Sequence, residues 1–173
     1  MATPQPNSPA PAVLPDIGLV LLRLAVGATM LQAGLLKATD FTTTVGFMEA
    51  GGWRAPTLAT AMVTAAEALG GLGLILGAIT PLAACAVLAA MIDAWLVLVS
   101  GGPFWSEPFN VPFLAAFGAA ALLCTGAGAY SVDRLLGRRH WPARVSVGLL
   151  ALAVAAAIIT WVALNGTNPV HVG

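Results

Sequence analysis

The chain has 173 residues, of which 59% are apolar and 8% charged, with a mean hydropathy of +0.92; a water-facing globular surface needs roughly 25% charged residues, so a soluble domain is excluded. Seven basic and seven acidic residues cancel to a formal net charge of zero, which leaves no basic field for nucleic acid. The two cysteines, Cys85 and Cys124, sit inside apolar blocks and fit neither a secreted disulfide framework nor a four-ligand zinc site, so no metal is expected.

Apolar blocks recur at about the 20 residues a helix needs to cross hydrocarbon. The expected fold is all-α, a polytopic membrane protein with a four-helix transmembrane bundle core plus a fifth C-terminal transmembrane helix. Residues 1–15 hold five prolines and no Lys or Arg and read as a disordered tail, not a signal peptide. Residues 16–136 form the membrane domain, with helices over about 17–36, 57–79 and 82–100 and a fourth that starts near Pro108 or Pro112 and ends near Thr125. Between the first two helices, Asp40 can cap a short helix whose Phe41, Val45 and Met48 share one face, an interfacial segment if it is not a plain loop. Residues 137–144 are a basic loop, 145–165 the fifth helix and 166–173 a short tail.

Arg134, Arg138, Arg139 and Arg144 lie between the fourth and fifth helices, and Lys37 and Arg54 fall on the other side. The positive-inside rule then puts the N-terminus in the cytoplasm and the C-terminus outside, in the inner (cytoplasmic) membrane. Trp53, Trp105, Trp141 and Trp161 fall near helix ends, as interface anchors do, whereas Trp95 is interior. Gly73 and Gly77 make a G-x-x-x-G that suits close helix packing. Cys85 and Cys124 fall at matching depths of adjacent helices, where small packed residues are the simpler reading.

Ionisable groups in a span cost roughly 2.5 to 3.5 kcal/mol each, which singles out Arg23, Glu67 and Asp93. Counted from the cytoplasmic helix ends they lie about 10, 18 and 17 Å deep, so one buried cluster is expected, with Gln32 as a fourth member. One arginine cannot neutralise two carboxylates, so such a cluster would hold a proton in mid-membrane. It is either an inert pair that fixes packing or a proton-coupled site. Gln32, Lys37 and Trp95 are the candidates for cofactor contact.

Three stretches resemble the DoxX family of small bacterial membrane proteins. They are Leu22-Arg23-Leu24 with Gly27, Gly34 and Lys37; Ala66-Glu67-Ala68-Leu69-Gly70-Gly71 through Gly77 and Thr80; and Thr125-Gly126-Ala127-Gly128-Ala129-Tyr130-Ser131-Val132-Asp133. Val132 and Ala127 depart from the family's usual leucine and proline, and Asp93 and the fifth helix have no assigned place in its pattern. The resemblance implies a four-helix core and, for some relatives, membership of quinone-linked systems such as thiosulfate:quinone oxidoreductase. The resulting expectation is a membrane subunit of a quinone-linked oxidoreductase, with Glu67, Arg23 and Asp93 handling protons and a partner redox protein or homo-oligomer completing the system. A proton-coupled transporter or channel and a structural scaffold are the alternatives. The chain has no haem-ligating histidine pair in its spans, no CxxC and no dinucleotide motif of its own.

Overall fold

The structure is a computed structural model and describes residues 13–100, 107–137 and 141–166. Seven α-helices follow in chain order: α1 Val13–Thr39, α2 Phe41–Ala50, α3 Pro56–Leu76, α4 Thr80–Ser100, α5 Val111–Thr125, α6 Val132–Leu135 and α7 Ala143–Thr160. A π-helical turn, Trp161–Asn165, extends α7. Val13 to Pro15, expected as tail, form the first turn of α1, where a proline needs no backbone N–H partner. Residues 1–12, 138–140 and 167–173, assigned from sequence to tails and loop, lie outside the described residues, as do Trp105 and its neighbours.

Among the described residues four helices are long and apolar enough to span a membrane: α1, α3, α4 and α7 with its π turn. The protein is a multi-pass membrane protein. The fourth expected helix, α5, is the short one, since fifteen residues reach only about 22 Å of a hydrocarbon core of about 30 Å. Asn110 caps it by accepting from the Phe113 N–H, and Pro112 sits in its first turn, so Pro108 stays outside. Helix α4 packs against α3, α5 and α7, and α1 packs chiefly on α3.

Chain direction divides the bundle into two ends. The starts of α1, α4 and α7, the end of α3 and all of α6 share one end, called the α6 end below. Asp16 on the first turn of α1 ties that end together by accepting from the Ala129 N–H at 2.8 Å. At the opposite, α2 end, the π turn is held to the α2–α3 connection by Arg54 N–H donating to the Leu164 carbonyl at 2.6 Å and by the Asn165 amide donating to Gly51 O at 3.3 Å.

Helices α1 and α3 touch backbone to backbone. A Cβ added at Gly71 would lie 2.5 Å from the Leu31 amide nitrogen and 2.7 Å from the Gly27 carbonyl oxygen, and one at Gly34 would run into the Ala68 backbone. Without a hydrophobic force between helices in lipid, such close van der Waals contact is what holds them. The sequence reading placed this role on Gly73 and Gly77. Instead Gly73 faces Ala83 of α4, and Gly77 ends α3 with φ 63°, in the left-handed region, a common glycine helix terminus.

The main core joins Val26 and Met30 of α1 to Leu74 of α3, Val87 and Met91 of α4, and Ala119 and Leu122 of α5. A smaller cluster at the α2 end holds Trp53 and Trp161 edge to face, with ring centroids 6.0 Å apart. Both indoles are buried, 7% and 5% exposed, so they are core residues and not the interface anchors expected from their positions. In α2 the half-buried face carries Phe41, Val45 and Met48, while Phe47 is exposed. The short helix is therefore amphipathic, although the Asp40 side chain makes no capping hydrogen bond.

Replacing Gly71 by alanine is expected to destabilise the bundle by about 1 to 3 kcal/mol, since neither backbone neighbour can yield cheaply. The same change at Gly148, where an added Cβ meets nothing within 4 Å, should be neutral. Thermal unfolding of the two variants in detergent or lipid checks the difference.

Candidate functional site

Register decides which polar groups meet. Gly27 faces Gly71 and Ile75, and Gly34 faces Ala68. One turn before Gly27, Arg23 is carried to the level of Gly77 at the α6 end, about 15 Å along the axis from the level of Glu67 at a rise of ~1.5 Å per residue. Arg23 is 2% exposed and donates through Nη2 to the Tyr130 carbonyl. Asp133 supplies the opposing charge nearby. The expected cluster of Arg23 with Glu67 and Asp93 is thus corrected, because the close α1–α3 approach shifts the helices past the offset an arginine can bridge.

Around Arg23 the glycine-rich α5–α6 connection forms a clamp. Gly126 and Gly128 take φ 78° and 77°. The Ser131 hydroxyl donates to Gly128 O at 2.8 Å and accepts from the Arg134 N–H at 3.2 Å. The Asp133 carboxylate accepts from Ile79 N–H at 2.8 Å and from Thr80 N–H at 2.9 Å, while its own N–H donates to Gly77 O at 2.9 Å. Ile79 has φ 42°, a conformation costly for a β-branched residue. The two hydrogen bonds from Asp133 cap the start of α4 and hold that turn. The Thr-Gly-Ala-Gly-Ala-Tyr-Ser-Val-Asp stretch, legible in the sequence only as a motif, is a structural clasp between α1, the α3–α4 turn and α6.

At the α2 end a different chemistry is assembled. Lys37, in the last turn of α1, donates through Nζ to Glu67 Oε2 at 2.6 Å. The carboxylate side chain is 3% exposed and the lysine 28%. Both line a cavity of about 390 Å³ bounded by α2, α3, α4 and α7, and Asp93 lines it too. Apart from Thr44 and Thr160 its remaining wall is apolar, including Phe47, Met48, Trp53, Met62, Val97 and Leu98. Asp93 Oδ1 is buried and has no hydrogen-bond partner among the described residues. Such an oxygen in a membrane interior is expensive and calls for a donor.

The other sequence candidates lie elsewhere. Gln32 is on the exposed face of α1 and does not border the cavity. Trp95 is also outside it and donates Nε1–H to the Pro108 carbonyl at 2.8 Å, anchoring the entry to α5. Cys85 is buried and directs its thiol to Leu149 O of α7 at 3.3 Å, whereas Cys124 is exposed and both are free thiols. Of the residues proposed from sequence, the cavity gathers Glu67, Asp93 and Lys37. Sequence reasoning missed the Lys37–Glu67 pair because it placed Lys37 beyond the membrane edge.

A cavity of this kind can hold a largely apolar molecule by its faces and orient its polar ends, with Lys37 donating and the two carboxyl groups accepting. The family model of DoxX matches residues 18–100. Over that stretch the chain is similar to the DoxX family. The DoxX-matched stretch covers nearly all of α1 and the whole of α2, α3 and α4, and so contains Arg23, Lys37, Glu67 and Asp93, whereas the α5–α6 clasp lies beyond it. Nothing among the curated proteins or the solved structures matches the chain.

Replacing Asp133 by alanine leaves Ile79 N–H and Thr80 N–H without their acceptor and removes the charge opposing Arg23, for an expected loss of about 2 to 4 kcal/mol. A lower unfolding temperature with an unchanged Lys37–Glu67 cavity is the expected outcome. Unfolding curves, together with ligand binding at the cavity, check both halves.

Proposed function

We propose that this DoxX-like protein is the membrane subunit of a quinone-linked redox system and that the Lys37–Glu67–Asp93 cavity is its quinone site. The observation that carries the reading is that Asp93, whose buried Oδ1 has no partner among the described residues, lines the same largely apolar cavity as the Lys37 pair with the buried Glu67 carboxylate. A quinone ring with its two oxygens fits these residues in kind: the apolar wall suits the ring, Lys37 suits a carbonyl oxygen, and the carboxylates suit hydroxyls of the reduced form. When bound, a quinone supplies two-electron, two-proton redox chemistry, and electrons come from a partner protein.

The chain's own contribution is binding and proton handling. Met48, Trp53 and Val97 exclude water, which strengthens each charged interaction in the cavity. Lys37 holds Glu67 in one orientation, and Asp93 offers a second proton acceptor from the neighbouring helix. In the proposed orientation the α6 end, with its arginines, faces the cytoplasm of a bacterial inner membrane, so the cavity lies in the outer half of the bilayer.

The test is titration of purified protein in lipid nanodiscs with a short-chain benzoquinone or naphthoquinone, comparing wild type, Glu67→Gln and Asp93→Asn. Saturable binding by wild type, weakened about tenfold or more (~1.4 kcal/mol) in each variant, is expected. An absence of saturable binding by wild type overturns the quinone reading and turns attention to solute uptake. Binding that neither substitution alters moves the ligand away from this cavity.

A further inference from the structure

The threonines of this chain divide into two sets. Thr29, Thr39, Thr44 and Thr125 each donate their hydroxyl to a backbone carbonyl three or four residues back, at 2.7 to 3.0 Å. This is how a hydroxyl in a membrane helix ordinarily satisfies itself. Three depart from it, with buried Oγ1 atoms that have no partner among the described residues: Thr80, alone at the start of α4, and on α3 the fully buried Thr60 together with Thr64.

The two α3 hydroxyls are not scattered. Thr60, Thr64 and Glu67 are spaced i, i+4, i+7, so they stand above one another on one face of α3. Residues at that spacing are about 5 to 6 Å apart at Cβ. A single water molecule making two hydrogen bonds of ~2.8 Å spans the same length. Each interval is thus the reach of one bridging water, and each water has polar partners at both ends, as buried waters require. The line starts at the α2 end, where α2 packs across α3, and ends at the carboxylate paired with Lys37.

We infer that Thr60 and Thr64 support a file of water molecules that conducts protons between the α2 end of the bundle and Glu67. Each threonine hydroxyl accepts one hydrogen bond and donates one. A proton entering at one end forms a new O–H bond at each oxygen as the neighbouring O–H bond breaks, and one proton leaves at the other end, with no net change in the file. The inference rests on the reading of Glu67 as a proton-handling group, but it concerns a route that reaches Glu67 by way of Thr60 and Thr64, neither of which borders the ligand cavity. Lys37 from α1 and Asp93 from α4 are the charged groups lining that cavity beside Glu67, and both are left intact in the test.

The chain has three glutamates, Glu49, Glu67 and Glu107, and the other two are exposed. With Glu49→Gln and Glu107→Gln, ¹³C-carboxyl glutamate labels Glu67 alone, and its infrared carboxylate band reports protonation after a downward pH jump in nanodiscs. The near-isosteric double variant Thr60→Val/Thr64→Val should slow that protonation tenfold or more, and Thr60→Ser/Thr64→Ser should stay within about twofold of the parent. An unchanged rate in the valine variant overturns the file, as does equal slowing by valine and serine, which would make packing and not the hydroxyl responsible. Quinone titration of the same samples keeps the two ideas apart: slowed protonation with no quinone binding refutes only the ligand assignment.

Discussion

Backbone contact between α1 and α3 governs everything that follows in this bundle. In lipid the only routes to tight association are close packing and polar contacts, and Gly27, Gly34 and Gly71 allow the first by leaving no side chain between the helices. The contact does more than add dispersion energy. It fixes an antiparallel register, and the register sends Arg23 to one end of the bundle and Lys37 to Glu67 near the other. A shift of one turn, about 5.4 Å, would break both pairings and leave buried charge without its partner, which is far costlier than the packing lost.

The two polar ends are finished differently. At the α6 end Asp133 takes two N–H donors and returns one, Ser131 both donates and accepts, and Asp16 receives Ala129, while Arg23 Nε and Nη1, Thr80 Oγ1 and Trp141 Nε1 are buried with no hydrogen-bond partner among the described residues. The Asp133 bonds offset a turn in which Ile79 has a left-handed backbone, a cost of about 1 to 3 kcal/mol. At the α2 end the groups without a partner among the described residues are Asp93 Oδ1 and the hydroxyls of Thr60 and Thr64. The deficit at the α2 end includes Asp93, which lines the apolar cavity, where water, protons or a ligand can meet it.

Hydropathy made the helices legible, since a span needs about 20 apolar residues whatever it packs against. The same signal places helix ends only within a few residues, and an error of that size in two antiparallel helices adds up. This is why Arg23 read as a partner for Glu67 from depth alone, while the glycines that set the true register could be seen but not paired. Tryptophan positions misled for a related reason: Trp53 and Trp161 lie at helix ends, yet the α2–α3 connection folds back onto the π turn and buries both. Gln32 is a polar residue on an outward face, and facing cannot be read until neighbours are known. Glu67 and Asp93 were found because burial of a carboxylate is costly in any register.

The division of labour along the chain follows from where the cavity walls originate. Lys37, Glu67 and Asp93 come from α1, α3 and α4, all within the stretch that the DoxX family model matches. Pro112, Ala156 and Thr160 close the same space from α5 and α7, beyond that stretch. Helix α7 is held in place by packing on α4 and by the Arg54 and Asn165 hydrogen bonds at the α2–α3 connection. Small residues on this wall leave room that larger ones would fill, so substitutions there alter the shape of the cavity without touching its charges. The polar chemistry and the size of what the cavity admits are therefore set by separate parts of the sequence, and each can change while the α1–α3 register keeps the other intact.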